Sequence, residues 1–309
     1  MNYKPLGKTG MNVSTVAYGG IVSNMKAPSG QMLSEHPQEA SDAHVRFALD
    51  HGVNYFDVAP TYGEAQFRLG NSLRGCRDKV YLACKTTERD YDGARREFEE
   101  SLQMLHTDYF DTYQMHALNT MEELEQAFSE NGVMRLILEE KKAGRVRNVG
   151  ITSHSEATVL EALRRYDFDT VLFPLNWMMN MGYGMGSTLV PELHRRGVGL
   201  LCMKSMVERG YYGPDDPARA RYPKSWCKLI EPDTQVDLLL AAMKYAWSLG
   251  IDTLIPPGDY EHFEFAVQHA DALTEPLTDA EIALLRAHLP QVIDHPFFDP
   301  ATASVSQKG

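Results

Sequence analysis

The stretch Val80-Tyr-Leu-Ala-Cys-Lys85, then the run Asp92 to Leu105, then Tyr109-Phe-Asp-Thr-Tyr-Gln-Met-His116 decides the fold. The outer two segments are short and apolar, as parallel strands buried on both faces are. The run between them has helix length and apolar residues at helical spacing. A helix between two strands is the crossover that parallel pairing requires. The unit recurs in both directions. Thr15 to Gly19 and Asn54 to Asp57 precede it; Val146 to Ile151, Thr170 to Pro174, Gly199 to Lys204 and Thr253 to Ile255 follow it. Ala40 to His51, Met121 to Ala143, Ser155 to Tyr166 and Thr234 to Leu249 read as further helices. Gly52, Gly144 and Gly250 follow helical stretches, as C-terminal stops do. Ser153 with Glu156, and Thr278 with Glu281, have capping-box spacing. Eight such strands with their helices predict an α/β fold, a (β/α)8 TIM barrel, and 309 residues suit one barrel domain over residues 1–309.

Three regions depart from the repeat. Tyr3 to Ser14 reads as two short strands around a glycine-containing turn, an N-terminal β-hairpin that caps the barrel. Ser205 to Pro232 is long and rich in Gly, Pro, Tyr and Arg, the mark of a lid over the barrel mouth. Met178 to Gly186 alternates Met, Gly and Tyr and reads as mobile, and 301–309 read as a disordered tail.

Composition narrows the partners. The formal net charge of −12 and the lack of a long basic run exclude nucleic acid and disfavour an anionic membrane surface. No apolar run reaches the roughly 18 residues of a membrane span. The four cysteines, Cys76, Cys84, Cys202 and Cys227, form neither a CxxC pair nor a zinc-spaced cluster, so no metal site is expected. The chain reads as a reduced, cytoplasmic, soluble protein; its oligomeric state is not legible.

Four polar residues fall at or just beyond the ends of consecutive strands. Asp57 ends the second, Tyr62 follows in Val58-Ala-Pro-Thr-Tyr-Gly63, Lys85 ends the third and His116 ends the fourth. Strand ends of a βα barrel open on one face, where active sites lie. Hydride addition to a carbonyl builds negative charge on oxygen, and a proton donor must meet it. A free phenol with a pKa near 10 is a reluctant donor, and a neighbouring Lys85 ammonium is expected to lower that value. Asp57 would hold Lys85 charged, and His116 would hydrogen-bond the carbonyl oxygen. Each residue alone has a bland alternative: a surface tyrosine, a snorkelling lysine, a packing histidine, a turn-capping aspartate. Their joint placement carries the reading.

The stretch Gly52-Val-Asn-Tyr-Phe-Asp-Val-Ala-Pro-Thr-Tyr-Gly63 resembles the aldo-keto reductase signature. Leu82-Ala-Cys-Lys85, Asp108 to His116, Ala143-Gly-Arg-Val-Arg-Asn-Val-Gly-Ile-Thr-Ser153 and Pro5-Leu-Gly-Lys-Thr-Gly10 with Tyr18-Gly-Gly20 resemble further motifs of that family, over roughly residues 3 to 290. The resemblance implies an NAD(P)-dependent oxidoreductase that reduces an aldehyde, ketone or sugar, with Asp57, Tyr62, Lys85 and His116 catalytic. It implies cofactor contacts at Gly20, Ile21, Thr152, Ser153, Asn176, Met203, Lys204 and Gly258. Asn176 is placed where the family has a glutamine for the nicotinamide amide, and Met203 where many members stack an aromatic ring.

One departure bears on the cofactor. Members that bind NADP(H) carry Lys or Arg near the eighth strand for the 2′-phosphate. Here Ile255-Pro-Pro-Gly-Asp-Tyr-Glu-His-Phe-Glu264 offers Asp259, Glu261 and Glu264 instead. Family habit implies NADP(H); the acids suit the free ribose hydroxyl of NAD(H). Discrimination for NADP is therefore expected to be weak or reversed, with Arg209 as a cation that would restore it. Trp177, Tyr183, Tyr211, Tyr212 and Trp226 are candidate walls of the substrate pocket. Two other readings compete: a non-catalytic cofactor-binding sensor or channel-associated barrel subunit, and a Schiff-base aldolase using Lys85.

Overall fold

The computed structural model describes residues 1–303. Its central element is an eight-stranded parallel sheet. The strands are β3 (Tyr18–Gly19), β4 (Tyr55–Asp57), β5 (Tyr81–Thr86), β6 (Phe110–Met115), β7 (Val146–Thr152), β8 (Thr170–Pro174), β9 (Gly199–Met203) and β12 (Thr253–Leu254). Val16 bridges Leu254 in parallel, and Ala17 N–H donates to the Leu254 carbonyl at 2.8 Å, so the last strand returns to the first and the sheet closes. β1 (Tyr3–Pro5) and β2 (Asn12–Ser14) form the expected antiparallel hairpin, and β10 (Val207–Arg209) pairs with β11 (Lys228–Leu229) in a second one.

Alternation along the strands sorts the side chains. One face of the sheet meets the surrounding helices in the larger apolar core. The other face lines the barrel interior, where Ala17, Tyr55, Ala83, Leu172, Leu201 and Ile255 pack together. The first hairpin fills the lower end of that space with Leu6, Met11 and Val13. Asp252 clasps it there: its carboxylate pairs with Lys4 at 2.8 Å and accepts from Gly7 N–H at 3.2 Å and Leu200 N–H at 3.0 Å. Two residues further along β4 and β5 the interior positions turn polar, to Asp57 and Lys85.

The expected helices appear as Pro37–Asp50, Tyr91–Met104, Glu156–Arg165 and Val236–Ser248. Gly52, Gly144 and Gly250 take positive φ after their helices, and Thr278 forms its capping box with Glu281. The run Met121 to Ala143 is two helices, Met121–Ala127 and Val133–Lys142. The break is stitched to the loop after β5, where Asp90 bridges Gly132 and Val133 N–H donates to the Arg89 carbonyl at 2.9 Å. Ser153 does not cap the helix Glu156–Arg165. Ser155 does, accepting from Thr158 N–H at 3.3 Å, while Glu156 reaches away to accept from Leu189 N–H at 2.7 Å. Met178 to Gly186 is not the mobile segment its composition predicts but mostly helix, Trp177–Tyr183, with Trp177, Met178 and Met179 buried. Pro300–Ala303 closes the described chain as a short helix, and 304–309 of the expected tail lie outside the described residues.

Candidate active site

The interior positions of β4 and β5 bring Asp57 and Lys85 together, since Asp57 pairs in register with Ala83. Lys85 is fully buried, and its ammonium donates to the Asp57 carboxylate in a short ion pair. It also reaches the Val58 carbonyl at 3.3 Å and the Tyr62 hydroxyl at 3.4 Å. The other Asp57 oxygen accepts from the Gln114 amide at 2.9 Å. Asp57 is thus fixed from two sides, and Gln114 is a positioning residue that sequence reading passed over. Tyr62 and His116 meet edge to face with ring centroids 5.8 Å apart. The structure therefore brings all four expected residues into one constellation.

The electrostatics differ from the expectation in one respect. Burial raises the Tyr62 pKa above the ordinary tyrosine value, and Lys85 offsets this only in part. The phenol therefore keeps its proton at neutral pH. Burial alone would lower the Lys85 pKa, but Asp57 and Tyr62 outweigh it and the net shift is upward. A Schiff-base lysine needs the opposite shift to be a nucleophile. His116 is pushed down to about 3, first by burial and then by Lys85, His154 and Arg89, so its imidazole is neutral.

The loop carrying His116 is held by Arg89, which lies in no quoted motif, and by Thr152. Arg89 is nearly buried and donates to the carbonyls of His116 at 2.7 Å and Ala117 at 3.1 Å. Ala117 sits in the left-handed region with φ 51°, and its N–H donates to Thr152 Oγ1 at 2.7 Å. Thr152 and Ser153, expected as cofactor contacts, are buried and do not line the cleft; Thr152 instead braces this loop.

The cleft at the tetrad is lined by Gly19, Ile21, Leu172, Met203 and Lys204. Pro256, Pro257, Gly258, His154 and Trp226 also line it. Of the residues expected to contact a cofactor, Ile21, Met203, Lys204 and Gly258 line this cleft, and Gly20 is buried beside Ile21. Asn176 does not line it. Its amide is consumed by backbone, accepting from Met178 N–H at 2.9 Å and donating to the carbonyls of Lys204 at 3.0 Å and Val207 at 2.7 Å. The β8 side chain that does reach the cleft is Leu172.

Ser205 to Pro232 lies over the mouth but has structure of its own: β10, β11 and the short helix Ala218–Arg221. Arg209 is unavailable for a phosphate, because it is buried in an ion pair with Asp216 at 2.6 Å and stacks on Tyr212 at 3.4 Å. Asp259 is likewise committed, capping its helix through His262 N–H at 3.1 Å and holding the His262 ring at 2.6 Å. Glu261 lies 3.7 Å from Arg221. A cation that sequence reading missed, Lys224, lines the cleft. Its ammonium spans to the carbonyls of Ile21 and Asn24, each at 3.2 Å, and burial lowers its pKa to about 8, opposed by Asp259. Of the aromatic candidates, Trp226 lines the cleft, whereas Trp177 is buried in the helical core and the Tyr183 hydroxyl donates to the Ile293 carbonyl. Tyr212 packs against His295, and Tyr211 bonds the Ser225 carbonyl at 3.2 Å.

Among the described residues no cluster of His, Cys, Asp or Glu is arranged to hold a metal ion, and no helix is long and apolar enough to cross a membrane.

Comparison with known proteins agrees with this geometry. The aldo-keto reductase YhdN of Bacillus subtilis is 31% identical over 169 residues, which cover 50% of this chain and 48% of that protein. The L-galactose dehydrogenase of Arabidopsis thaliana is 28% identical over 227 residues, 67% of each chain. Among solved structures, a thermostable aldo-keto reductase in complex with the inhibitor epalrestat superposes with a TM-score of 0.68 at 19% identity, covering 93% of this chain and all of that one. A putative aldo-keto reductase from Pseudomonas aeruginosa gives 0.66 at 22%, covering 88% and 95%. These structural likenesses show the barrel fold. The model of the aldo/keto reductase family matches residues 24–212, which include the whole tetrad, and the chain belongs to that family.

Proposed function

We propose that the protein is an NAD(P)H-dependent carbonyl reductase with Tyr62 as the proton donor. The observation that carries this reading is the buried line from Asp57 through Lys85 to the Tyr62 hydroxyl, with a neutral His116 beside it. A dinucleotide needs an apolar face for its ring and a cation for its phosphates. Met203, Leu172 and Ile21 offer the first, and Lys224, near Gly258, offers the second. The bound nicotinamide supplies the hydride. A relative from Klebsiella pneumoniae was solved with NADP and acetate, at 21% identity.

The chain's own residues do the rest. The Tyr62 hydroxyl and the His116 imidazole meet the carbonyl oxygen. As negative charge grows there, Tyr62 releases its proton to it, and the Lys85 ammonium stabilises the phenolate left behind. Asp57 and Gln114 keep Lys85 in place. Thr152 and Arg89 fix the backbone that aims His116.

Tyr62→Phe tests this directly. It removes the donor and keeps the ring, so kcat for aldehyde reduction should fall by at least about 10²-fold, the scale of general acid catalysis. The dissociation constant for NADPH should stay put. Near-normal turnover would remove Tyr62 from its role, and a protein that binds NADPH but reduces no aldehyde before or after the change would be a sensor.

A further inference from the structure

The barrel interior beneath the cleft turns polar again. Asp57, Leu172 and Ile255 line the cleft, and Gln114 bonds Asp57. These four come from β4, β8, β12 and β6, and alternate strands of a closed barrel supply one layer of its filling. Two residues earlier on the same four strands stand Tyr55, Thr170, Thr253 and Thr112, all fully buried. Side chains alternate along a strand, so these four form the next layer down. Beneath it lie the apolar Leu6, Met11 and Val13 of the first hairpin.

One hydroxyl of that layer has its partner: Thr253 donates to the Ser14 carbonyl at 2.8 Å. The other three do not. Among the described residues the Tyr55 hydroxyl, Thr112 Oγ1 and Thr170 Oγ1 find no hydrogen-bond partner, and neither does Gln114 Oε1 in the layer above. Turning the Gln114 amide over would not help. Its NH2 group donates to Asp57, whose carboxylate is paired with Lys85 and accepts, so the amide oxygen is the atom left without a donor.

These oxygens share one place. A Cβ added to Gly150, between β6 and β8, would lie 2.3 Å from Thr170 Oγ1 and 2.9 Å from Gln114 Cγ, so both side chains crowd the same spot. Tyr55 faces Thr112, and no hydrogen bond closes between their hydroxyls. Burial first, and then the Asp57 charge, raise the Tyr55 pKa, so its phenol keeps a proton to donate. Buried polar oxygens are bonded to protein or to ordered water in the great majority of cases, and a buried water makes about two to four such bonds. Neutral hydroxyls and a neutral amide oxygen bring no charge to hold an ion. They match the two donors and two acceptors of a water molecule.

We propose that one ordered water molecule, held by Tyr55, Thr112, Thr170 and the Gln114 carbonyl, fixes the amide that holds Asp57, so that these three hydroxyls are positioning residues for proton transfer from Tyr62. The support runs from the water through Gln114, Asp57 and Lys85 to the phenol. In its consequence for turnover the proposal rests on the reductase reading.

The test has a structural and a kinetic arm, both on the full-length protein. A crystal structure that resolves ordered water should show a peak about 2.7–3.2 Å from Gln114 Oε1 and in reach of the three hydroxyls. No such peak overturns the proposal. Thr112→Val keeps the side-chain shape and removes one hydroxyl. It should lose the water and let the Gln114 amide turn away from Asp57. With benzaldehyde and NADPH its kcat should fall about tenfold, while KM and the dissociation constant for NADPH change less than about twofold. The isotope effect of 4-deuterated NADPH on kcat should rise, because the chemical step slows relative to product release. Thr112→Ser restores the hydroxyl and should return kcat to within about twofold of wild type. Thr170→Val carries the same expectations and serves if Thr112→Val fails to fold. Thr253→Val, in the same layer but with its hydroxyl spent on Ser14, should lower Tm and leave kcat and the water in place. A wild-type kcat in both Thr112→Val and Thr170→Val overturns the proposal. So does an equal fall in Thr253→Val, which would mark the loss as one of packing. A protein that reduces no aldehyde, yet shows the water and loses both it and the Gln114 contact to Asp57 in Thr112→Val, would uphold the positioning of Asp57 and sink the reductase reading.

Discussion

Tyr62 answers to two opposed influences, and the balance between them sets a pH profile. Burial raises its pKa from the ordinary value of 10.0, and Lys85 pulls it back only in part. The acid must be protonated to act, so a raised pKa extends the active range upward. His116, at about 3, is already neutral well below pH 5 and adds no acidic limb. For aldehyde reduction, kcat/KM should therefore stay flat from about pH 5 to 9 and fall only near the tyrosine range. A limb with its midpoint near 7 in wild-type enzyme would assign the proton to another group. Lys224 carries a second expectation. With Arg209 and Asp259 both committed, the proposed function leaves Lys224 as the cleft cation for the cofactor phosphates, without a dedicated 2′-phosphate clamp. Lys224→Met should weaken NADPH and NADH alike, by about tenfold or 1.4 kcal/mol each. Wild type should discriminate less than tenfold between them by titration, and a stronger NADPH preference would reveal a phosphate partner elsewhere. Residue legibility was uneven here. The tetrad stood out because its members sit at strand ends within fixed motifs. Arg89, Gln114 and Lys224 did not, because each acts through a tertiary contact that no local pattern records. Asn176 was misplaced for a related reason: a polar residue just past a strand end looks like a ligand until the backbone groups it satisfies are known.

At the level of elements, a buried ion pair, Arg209 with Asp216, helps to hold the segment over the mouth. Asp216 accepts from Arg209 and also from the N–H groups of Tyr212 and Ala218, both at 2.9 Å. Asp216→Ala would strand the Arg209 charge, and losing one partner of a buried pair costs about 3–5 kcal/mol locally. Trypsin should cut wild type first at Arg219 or Arg221 in the exposed helix, with Arg209 protected. In Asp216→Ala a cut at Arg209 should appear early, read by mass spectrometry of the fragments. Equal resistance of Arg209 in both proteins would show that the hairpin of β10 and β11 alone shields it. The sequence predicted a structureless lid because Gly and Pro density hides strands of two and three residues. Likewise the run Met121 to Ala143 kept helical spacing across its break. What ends the first helix is the pairing of Asp90 with Gly132, a contact made in space.

In the whole molecule, the barrel was legible because eight buried strands leave eight apolar runs at intervals that helices fill. How the ends meet was less so. The hairpin plug depends on Gly7, whose φ is 48° and whose added Cβ would lie 2.2 Å from Gly199 N. Gly7→Ala should therefore lower stability by about 2 kcal/mol or more and reduce Tm by several degrees. The kinetic constants of the remaining folded enzyme should not change, because the plug sits at the end of the barrel away from Tyr62. A Tm equal to wild type would mean that the hairpin is dispensable to the barrel. The closure itself, Val16 against Leu254, has a consequence for biosynthesis. The Thr253 hydroxyl also reaches the Thr15 carbonyl, across 238 positions of chain. A ribosome adding about 5–20 residues per second needs roughly 12–50 seconds to cover that distance. Throughout that interval the growing polypeptide presents β3 as an unpaired sheet edge, open to other nascent chains until its partner emerges.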